Sequence, residues 1–171
     1  MRDLYVVRPA GASDLDRLTE LLLELQDHLE EANPGLWRMK SEARKGLRAQ
    51  IANRLNAAGS TAVVAEHRDE GVVGVAFGRV VANHRYDPAV AGNVDQVYVR
   101  PDHRRQGIAT RLVAEVCRFF VQEGVTDLSL RYVIGNDEAA GFWQALGFAP
   151  RIITAGAALE AVQARLLSNE P

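Results

Sequence analysis

The sequence predicts a mixed α/β fold of the α+β type, in which a sheet is flanked by helices. Two observations support this class. Short runs rich in β-branched residues alternate with longer segments whose apolar residues recur at the spacing of one helical face. Glycine, proline and asparagine separate these segments and mark short loops. The predicted order is strand, helix, helix, three strands, helix, strand, helix, strand and helix.

The N-terminal third is predicted to contain a strand and two helices. Residues 4–8 form a β-rich run that Pro9 ends, and a helix follows from about residue 14 to 31. Leucines recur in that helix at the spacing of one face, whereas most other positions are acidic, which predicts an amphipathic helix. A second helix is predicted from about Ser41, and Gly59 closes it.

The middle of the chain predicts a hairpin and a further strand. β-rich runs at residues 61–66 and 72–81 flank a polar, glycine-containing loop, which is typical of two antiparallel strands. Residues 82–92 show no clear period and are predicted as a loop that could line a substrate site. A strand is predicted at residues 93–99.

The C-terminal half alternates helices with strands. The predicted elements are a helix from about 108 to 124, a strand at 127–134, a helix from 136 to 146, a short strand at 151–154 and a helix at 157–167. Asn136 suits the N-cap of the second of these helices. Gly147 suits the left-handed position that ends it.

Length and composition predict one soluble domain over residues 1–171. The formal net charge of -2 gives no general attraction to nucleic acid or to an anionic membrane. Cys117 is the only cysteine, which excludes an intramolecular disulfide and fits a reducing compartment. No signal peptide or apolar run of membrane-spanning length is visible, so a cytoplasmic location is expected.

A polar loop between the strand at 93–99 and the helix from Ile108 indicates a phosphate site. Arg104 and Arg105 place two fixed positive charges there, and Gly107 lets a ligand approach the backbone closely. The helix N-terminus presents free N–H groups and the positive end of its dipole. The loop therefore suits a pyrophosphate, although the same residues also suit a solvated surface turn.

Two motifs around this loop resemble those of a known acyltransferase family. Val-Tyr-Val-Arg-Pro at residues 97–101, with Arg-Arg-Gln-Gly-Ile-Ala at residues 104–109, resembles motif A of the GNAT acetyltransferases. Residues 136–148 contain Asn-Asp-Glu-Ala-Ala, then Phe-Trp and Leu-Gly-Phe, which resemble motif B. Both motifs follow the family's order and spacing, and the resemblance covers residues 5–148. The loop lacks the signatures of P-loops and of dinucleotide sites.

The resemblance implies the GNAT fold, a mixed, mostly antiparallel sheet of six to seven strands that is splayed between strands 4 and 5. Acetyl-CoA would lie in that opening as co-substrate, and no metal is implied. The core of the domain would span residues 5–148. Residues 149–171 would form an atypical C-terminal segment, because family members often end in a β-hairpin whereas residues 157–167 look helical.

Cofactor contacts follow from position within the motifs. The backbone of Val97 and Val99 would bind the pantetheine arm and the acyl carbonyl, and the amides from Arg105 to Thr110 would bind the pyrophosphate. Asn136 would meet the pantetheine, but it also suits a plain N-cap, and the two valines also suit the core. The residues expected at the cofactor are Val97, Tyr98, Val99, Arg104, Arg105, Gln106, Gly107, Ile108, Ala109, Thr110, Asn136 and Trp143.

Acyl transfer needs a base for the amine and a proton donor for the leaving thiolate. The family often supplies the donor from a tyrosine in motif B, where this chain has Trp143, whose indole N–H cannot act as that acid. Tyr132 and Tyr98 are the candidate substitutes, and both also suit packed strand positions. Asp95 is the candidate base, on a strand where it would alternate faces with its neighbours, and it also suits an ordinary ion pair with an arginine.

The remaining polar residues give weaker signals. No two histidines or carboxylates have metal-ligand spacing, and His28, His67, His84 and His103 are expected as scattered surface residues. Trp37 and the acidic face of the first helix are candidates for receiving a cationic amine.

The sequence thus predicts an acetyl-CoA-dependent N-acetyltransferase. It would transfer an acetyl group to a primary amine of an unidentified small molecule or protein by direct attack in a ternary complex, as a monomer or a homodimer. The alternative is a related domain that binds acyl-CoA without turnover, as a sensor or an interaction module. A third interpretation makes the leucine-rich first helix a partner surface.

Overall fold

The structure, a computed structural model, describes residues 4–33, 35, 38–82, 84–85 and 87–168. The strands are β1 (Tyr5–Pro9), β2 (Ser60–His67), β3 (Gly71–Ala82), β4 (Val90–Val99) and β5 (Asp127–Leu130). The helices are α1 (Leu15–Ala32), α2 (Ser41–Leu55), α3 (Ile108–Gln122), α4 (Asp137–Ala145) and α5 (Leu159–Leu167). One 3-10 turn at Ala12–Asp14 precedes α1, and another at Pro101–His103 follows β4.

The contacts divide the chain into two compact units, Met1–Asn136 and Asp137–Pro171. The first unit contains the sheet and helices α1 to α3, and the second contains α4 and α5. One domain over residues 1–171 stays a prediction. No helix in the part of the chain that is described has the length and apolar character needed to cross a membrane.

The first unit is built on a mixed sheet with the order β1-β2-β3-β4-β5. Strands β1 to β4 pair in antiparallel fashion, and β5 runs parallel to β4. Parallel neighbours need a crossover connection, which α3 provides. The predicted class is therefore confirmed, with five strands among the described residues rather than six to seven.

Strand β5 accompanies β4 for only part of its length. The pairing runs from Ala91 with Asp127 to Val94 with Leu130. Within the described residues, the remaining half of β4, residues 95–99, has no strand on its β5 side. The sheet opens there, as a splay between strands 4 and 5 requires, and the backbone edge of β4 is left for another partner.

Three strand predictions differ from the structure. β5 ends at Leu130 rather than at 134, because β4 no longer pairs with it beyond that point. β4 begins at Val90, inside the predicted loop, because its hairpin pairing with β3 extends that far. Residues 151–154 form no strand, and Ile153 is 77% exposed. A β-rich sequence forms a stable strand only where a neighbouring strand pairs with it.

The sheet is covered on both faces. Leucines of α1 and α2 pack with Phe77 and Tyr98 on one face. On the other face α3 lies close to β3 at Gly78, where an added Cβ would be 2.6 Å from Val116 and 2.9 Å from Phe120. A glycine suits this point because the side chains of Val116 and Phe120 already fill the space that a Cβ would occupy.

Gly78→Ala is expected to lower the free energy of unfolding by about 1–3 kcal/mol, because the new methyl group overpacks the α3 interface. Urea unfolding followed by circular dichroism measures the change. Gly46→Ala is the matched control, because Gly46 lies within α2 with nothing within 4 Å of an added Cβ. The control should gain about 0.5–1 kcal/mol from helix propensity. Equal effects of the two substitutions would contradict the close α3 packing.

A buried carboxylate joins β1 to the start of α1. Asp14 accepts hydrogen bonds from Nη1 and Nη2 of Arg8 at 2.8 and 2.9 Å, and one from the Gly11 N–H at 2.8 Å. Nε of Arg8 donates to Glu66 on β2 at 2.7 Å. The hydrogen bonds from Arg8 hold the pKa of Asp14 below its usual range.

A carboxyl whose pKa is depressed by folding stabilises the protein above its unfolded pKa, and this contribution is lost as the pH falls through the folded pKa. Asp14→Asn should therefore lower the free energy of unfolding by about 1–3 kcal/mol at neutral pH and by less in acid. Asp16→Asn is the control, because Asp16 is 79% exposed and pairs only with Arg48 among the described residues. Its effect should stay below about 1 kcal/mol. An Asp14→Asn effect that does not change with pH would contradict this role.

Candidate active site

A β-bulge in β4 organises the site. The register between β3 and β4 shifts after Phe77, which leaves Asp95 as an extra residue. As a result Arg54, at the end of α2, reaches two consecutive side chains. Its Nη2 donates to Asp95 and its Nη1 donates to Gln96, each at 2.7 Å. The expected alternation of faces between Asp95 and Gln96 is wrong, because the bulge interrupts it.

The Asp95 carboxylate accepts hydrogen bonds from three residues. Nε of Arg79 lies 3.1 Å from both carboxylate oxygens, and the side-chain amide of Asn93 donates to Oδ1. With the bond from Arg54, both oxygens accept hydrogen bonds from the protein, and the side chain is only 12% exposed. The structure therefore places the candidate base in an ion-pair cluster rather than alone on an open strand.

The loop after β4 contains two residues in the left-handed region. Arg105 has φ of 58° and Gly107 has φ of 74°. Gly107 is the N-cap of α3, and its carbonyl accepts the Arg111 N–H at 3.1 Å. No side chain of the described residues caps this helix, so the N–H groups of residues 108–110 point out of its first turn. We call the loop and the uncapped helix start, residues 104–110, the anion seat, because this is where the sequence predicts the pyrophosphate.

The two loop arginines differ in their surroundings. Nε of Arg104 donates to the Val99 carbonyl at 3.0 Å, and its guanidinium carbon lies 5.8 Å from the centre of the Tyr98 ring. This side chain therefore folds back onto β4. Arg105 is exposed, as are Gln106 and Gly107. Arg105 is the arginine that can reach outward to a phosphate.

The tyrosines predicted as proton donors lie in different places. Tyr98 is buried, and its hydroxyl donates to Glu24 of α1 at 3.1 Å. Burial first, and then the charge of Glu24, raise the pKa of Tyr98. Tyr132 is half-buried in the segment that follows β5, outside any strand. Of the two, only Tyr98 is a packed strand aromatic.

The motif B residues lie at the boundary of the two units. Asn136 ends the first unit, directly before α4, as the expected N-cap would. In the second unit, Trp143 is the buried residue of α4 and packs edge-on against Phe142 and Phe148, with ring centres 4.8 and 5.4 Å away. Gly147 has φ of 89°, which confirms the predicted left-handed helix end.

One cluster escaped prediction. His103 is buried, with one ring nitrogen 3.0 Å from the Tyr5 hydroxyl and the other 3.2 Å from Glu70. The ring of His67 lies 5.3 Å from that of His103. The expectation that these two histidines are scattered on the surface is wrong. Pairing of Tyr5 with His67 creates the cluster, and a single strand's sequence does not reveal that register.

The cluster anchors the loop, because His103 directly precedes Arg104 in the chain. Its hydrogen bonds fasten the turn at Pro101–His103 to β1 and to the β2–β3 hairpin. The hydrogen bond to His103 is also the main cause that lowers the pKa of Glu70. The anion seat is therefore anchored immediately before its first arginine.

The acidic face of α1 is only partly neutralised, because each of two arginines pairs with two carboxylates. Arg17 pairs with Glu20 and Glu24, and Arg44 pairs with Asp27 and Glu30. Trp37, the other candidate for receiving an amine, lies outside the described residues. Among the residues that are described, no three His, Cys, Asp or Glu side chains are grouped as metal ligands.

Comparison of structures shows the same architecture in several acetyltransferases. The aminoglycoside 6'-N-acetyltransferase AAC(6')-Ih from Acinetobacter baumannii aligns with a TM-score of 0.70 at 18% identity, over 91% of this chain and 99% of its own. The aminoglycoside N-acetyltransferase AAC(6')-Iy in complex with CoA aligns at 0.68 and 20% identity, over 90% and 94%. A mutant of the BH1408 protein from Bacillus halodurans aligns at 0.79 and 15% identity, over 90% and 99%.

Sequence comparison gives the family. No curated protein is detectably similar in sequence to this chain. The profile described as the acetyltransferase (GNAT) family, however, matches residues 22–148, which include β4, the anion seat and both motifs. The chain therefore belongs to the GNAT family of acetyltransferases.

Proposed function

We propose that this chain is an acetyl-CoA-dependent N-acetyltransferase that acetylates a primary amine by direct attack in a ternary complex. The observation that supports this most is the continuity between the open edge of β4 and the uncapped start of α3. An extended chain would pair with the open edge, and a pyrophosphate would lie at the start of the helix. One cofactor that contains both would therefore occupy both places. GNAT proteins use acetyl-CoA, and a structural neighbour holds CoA.

The cofactor would bind mainly through backbone groups. Pantetheine contains two amides, so it would pair with the edge of β4 at Val97 and at the Val99 N–H much as a strand does, and it would share the Val99 carbonyl with Nε of Arg104. The pyrophosphate would lie against the N–H groups of residues 108–110, with Arg105 beside it. Tyr98, Arg104 and Gln106 would shape this path, and Asn136 and Trp143 stay proposed contacts from motif B.

The chemistry would begin with loss of a proton from the amine. Both oxygens of Asp95 already accept hydrogen bonds from the protein, so no lone pair is available to an incoming amine without breaking one. We therefore assign the proton to water and assign Asp95 the task of positioning Arg54 and Arg79. The amine then attacks the thioester carbonyl, and backbone N–H groups stabilise the oxyanion.

Tyr132 is the remaining candidate for protonating the leaving thiolate, because the Tyr98 hydroxyl is hydrogen-bonded to Glu24. The thiolate is itself a tolerable leaving group, so positioning can support transfer without a strong acid.

The second candidate function is acyl-CoA binding without turnover. It is favoured by Trp143, which packs in an aromatic cluster where the family often has a tyrosine.

Arg105→Glu should weaken acetyl-CoA binding at least about tenfold, because it sets a negative charge against the pyrophosphate. Isothermal titration calorimetry measures this change. Arg118→Glu is the matched control, because Arg118 lies within α3, is 70% exposed and pairs with Glu115. S-acetylpantetheine, which lacks the pyrophosphate, should bind wild type and Arg105→Glu equally. Unchanged acetyl-CoA affinity in Arg105→Glu would contradict the assigned anion seat.

Asp95→Asn should lower kcat/KM for the acceptor and leave the KM of acetyl-CoA unchanged. Because water is the assigned proton acceptor, the pH–rate profile of Asp95→Asn should keep the shape of the wild-type profile. Thiol release with amino acids, polyamines and aminoglycosides identifies the acceptor and measures both profiles. Disappearance in Asp95→Asn of the acidic limb, in which the rate rises from low pH as the base loses its proton, would make Asp95 the base. Binding of acetyl-CoA without thiol release from any amine would favour the non-catalytic function.

A further inference from the structure

We propose that the acceptor is a small primary amine that also bears a carboxylate, and that Arg79 and Arg54 bind this carboxylate beside the bulge of β4. The inference rests on the proposed function and names the class of acceptor for the same site. It concerns the ion-pair cluster of Arg54, Arg79 and Asp95.

The cluster lies where the reaction would occur. Asp95 follows Val94, the last residue of β4 that pairs with β5, so the cluster borders the opening of the sheet. Arg54 reaches this point from the end of α2, and Arg79 reaches it from β3. A thioester bound along the free edge of β4 would lie within a few residues of both guanidinium groups.

The charges of the cluster do not balance. Two guanidinium groups share one carboxylate, which leaves one positive charge, and no other acid of the described residues forms an ion pair with either arginine. Arg54 is half-buried above the Phe77 ring, 4.4 Å from its centre. Burial lowers the pKa of Arg54, Asp95 opposes this, and the nearby charge of Arg79 lowers it further. A second anion would relieve that repulsion.

Arg79 has donors to spare. Its Nε is used on Asp95, and its terminal nitrogens make no hydrogen bond to any described residue. The side chain is 48% exposed. A guanidinium group that is held at Nε and open at its two terminal nitrogens can bind a carboxylate through two parallel hydrogen bonds.

The cluster is also held in place. Arg79, Asn93 and Ser129 lie side by side on β3, β4 and β5. The Ser129 hydroxyl donates to Asn93 at 3.1 Å, and the Asn93 amide donates to Asp95. This chain of hydrogen bonds fixes the carboxylate on which both guanidinium groups rest, so little ordering is needed when a ligand binds.

The same charges disfavour polycations. The cluster at the bulge carries one unbalanced positive charge, whereas on α1 Arg17 and Arg44 each face two carboxylates, so the excess positive charge is confined to the bulge. A polycationic amine would meet repulsion there. The inferred acceptor class therefore differs from the aminoglycosides that two structural neighbours acetylate according to their names.

The test compares amines that share one carbon skeleton and carry either a carboxylate or an amide at one end. β-Alanine is paired with β-alaninamide, γ-aminobutyrate with its amide, and several L-amino acids with their amides, and kanamycin is the polycation. Thiol release from acetyl-CoA is measured for wild type, Arg79→Gln, Arg79→Lys and the distant control Arg118→Gln. Acetyl-CoA affinity is measured separately by calorimetry for each protein.

The best carboxylate acceptor should exceed its amide at least about tenfold in kcat/KM, and Arg79→Gln should remove most of this preference. Arg79→Lys should retain part of it, and neither substitution should change the KM of acetyl-CoA. Arg118→Gln should behave as wild type. A KM effect confined to carboxylate acceptors would not arise from general destabilisation, because the amides report on the same folded enzyme.

Several results would overturn the inference. These are equal rates for carboxylates and amides, a preference for kanamycin, or a carboxylate preference that survives Arg79→Gln. In each case acetyl-CoA binding and turnover would still support the proposed function. If acetyl-CoA binds but no amine reacts, the transferase proposal fails. Calorimetry of the carboxylate series with CoA-saturated protein would then test the anion site by itself. Equal affinities for carboxylates and amides would reject that site.

Discussion

The β-bulge at Asp95 is the feature on which the rest of the site depends. Before it, β4 has a strand on each side, and after it the β5 side is open among the described residues. The bulge also turns Asp95 and Gln96 toward Arg54, which reaches them from the end of α2. The free backbone edge thus begins at the bulge, and the bulge orders a polar cluster beside that edge.

The other half of the site depends on how closely α3 packs. Glycines at positions 78 and 92 lie under Phe120, where an added Cβ would come within 2.9 and 3.0 Å of its ring. Because these glycines have no side chains, α3 lies close to the sheet. The first turn of α3 therefore stays next to the end of β4. Buried His103 fastens the connecting turn from the other side, through Tyr5 and Glu70.

Sequence periodicity predicted the parts that depend on local patterns. The leucine repeat predicted α1, the polar glycine loop predicted the hairpin of β2 and β3, and the arginine-glycine loop predicted the start of α3. It did not predict the bulge, because alternation along one strand contains no information on a two-against-one pairing with its neighbour. The cluster of Tyr5, His67 and His103 escaped for the same reason. The roles of Asp95 and Tyr132 depend on long-range partners and stay proposals.

The central claim is that acetyl-CoA binds along the free edge of β4 and against the first turn of α3. Backbone amide hydrogen exchange, followed residue by residue by NMR with and without acetyl-CoA, tests it most directly. The account predicts slower exchange at residues 96–99 and 105–110, with little change in β1 and β2. Protection elsewhere without any at these two segments, or no protection at saturating acetyl-CoA, would contradict it.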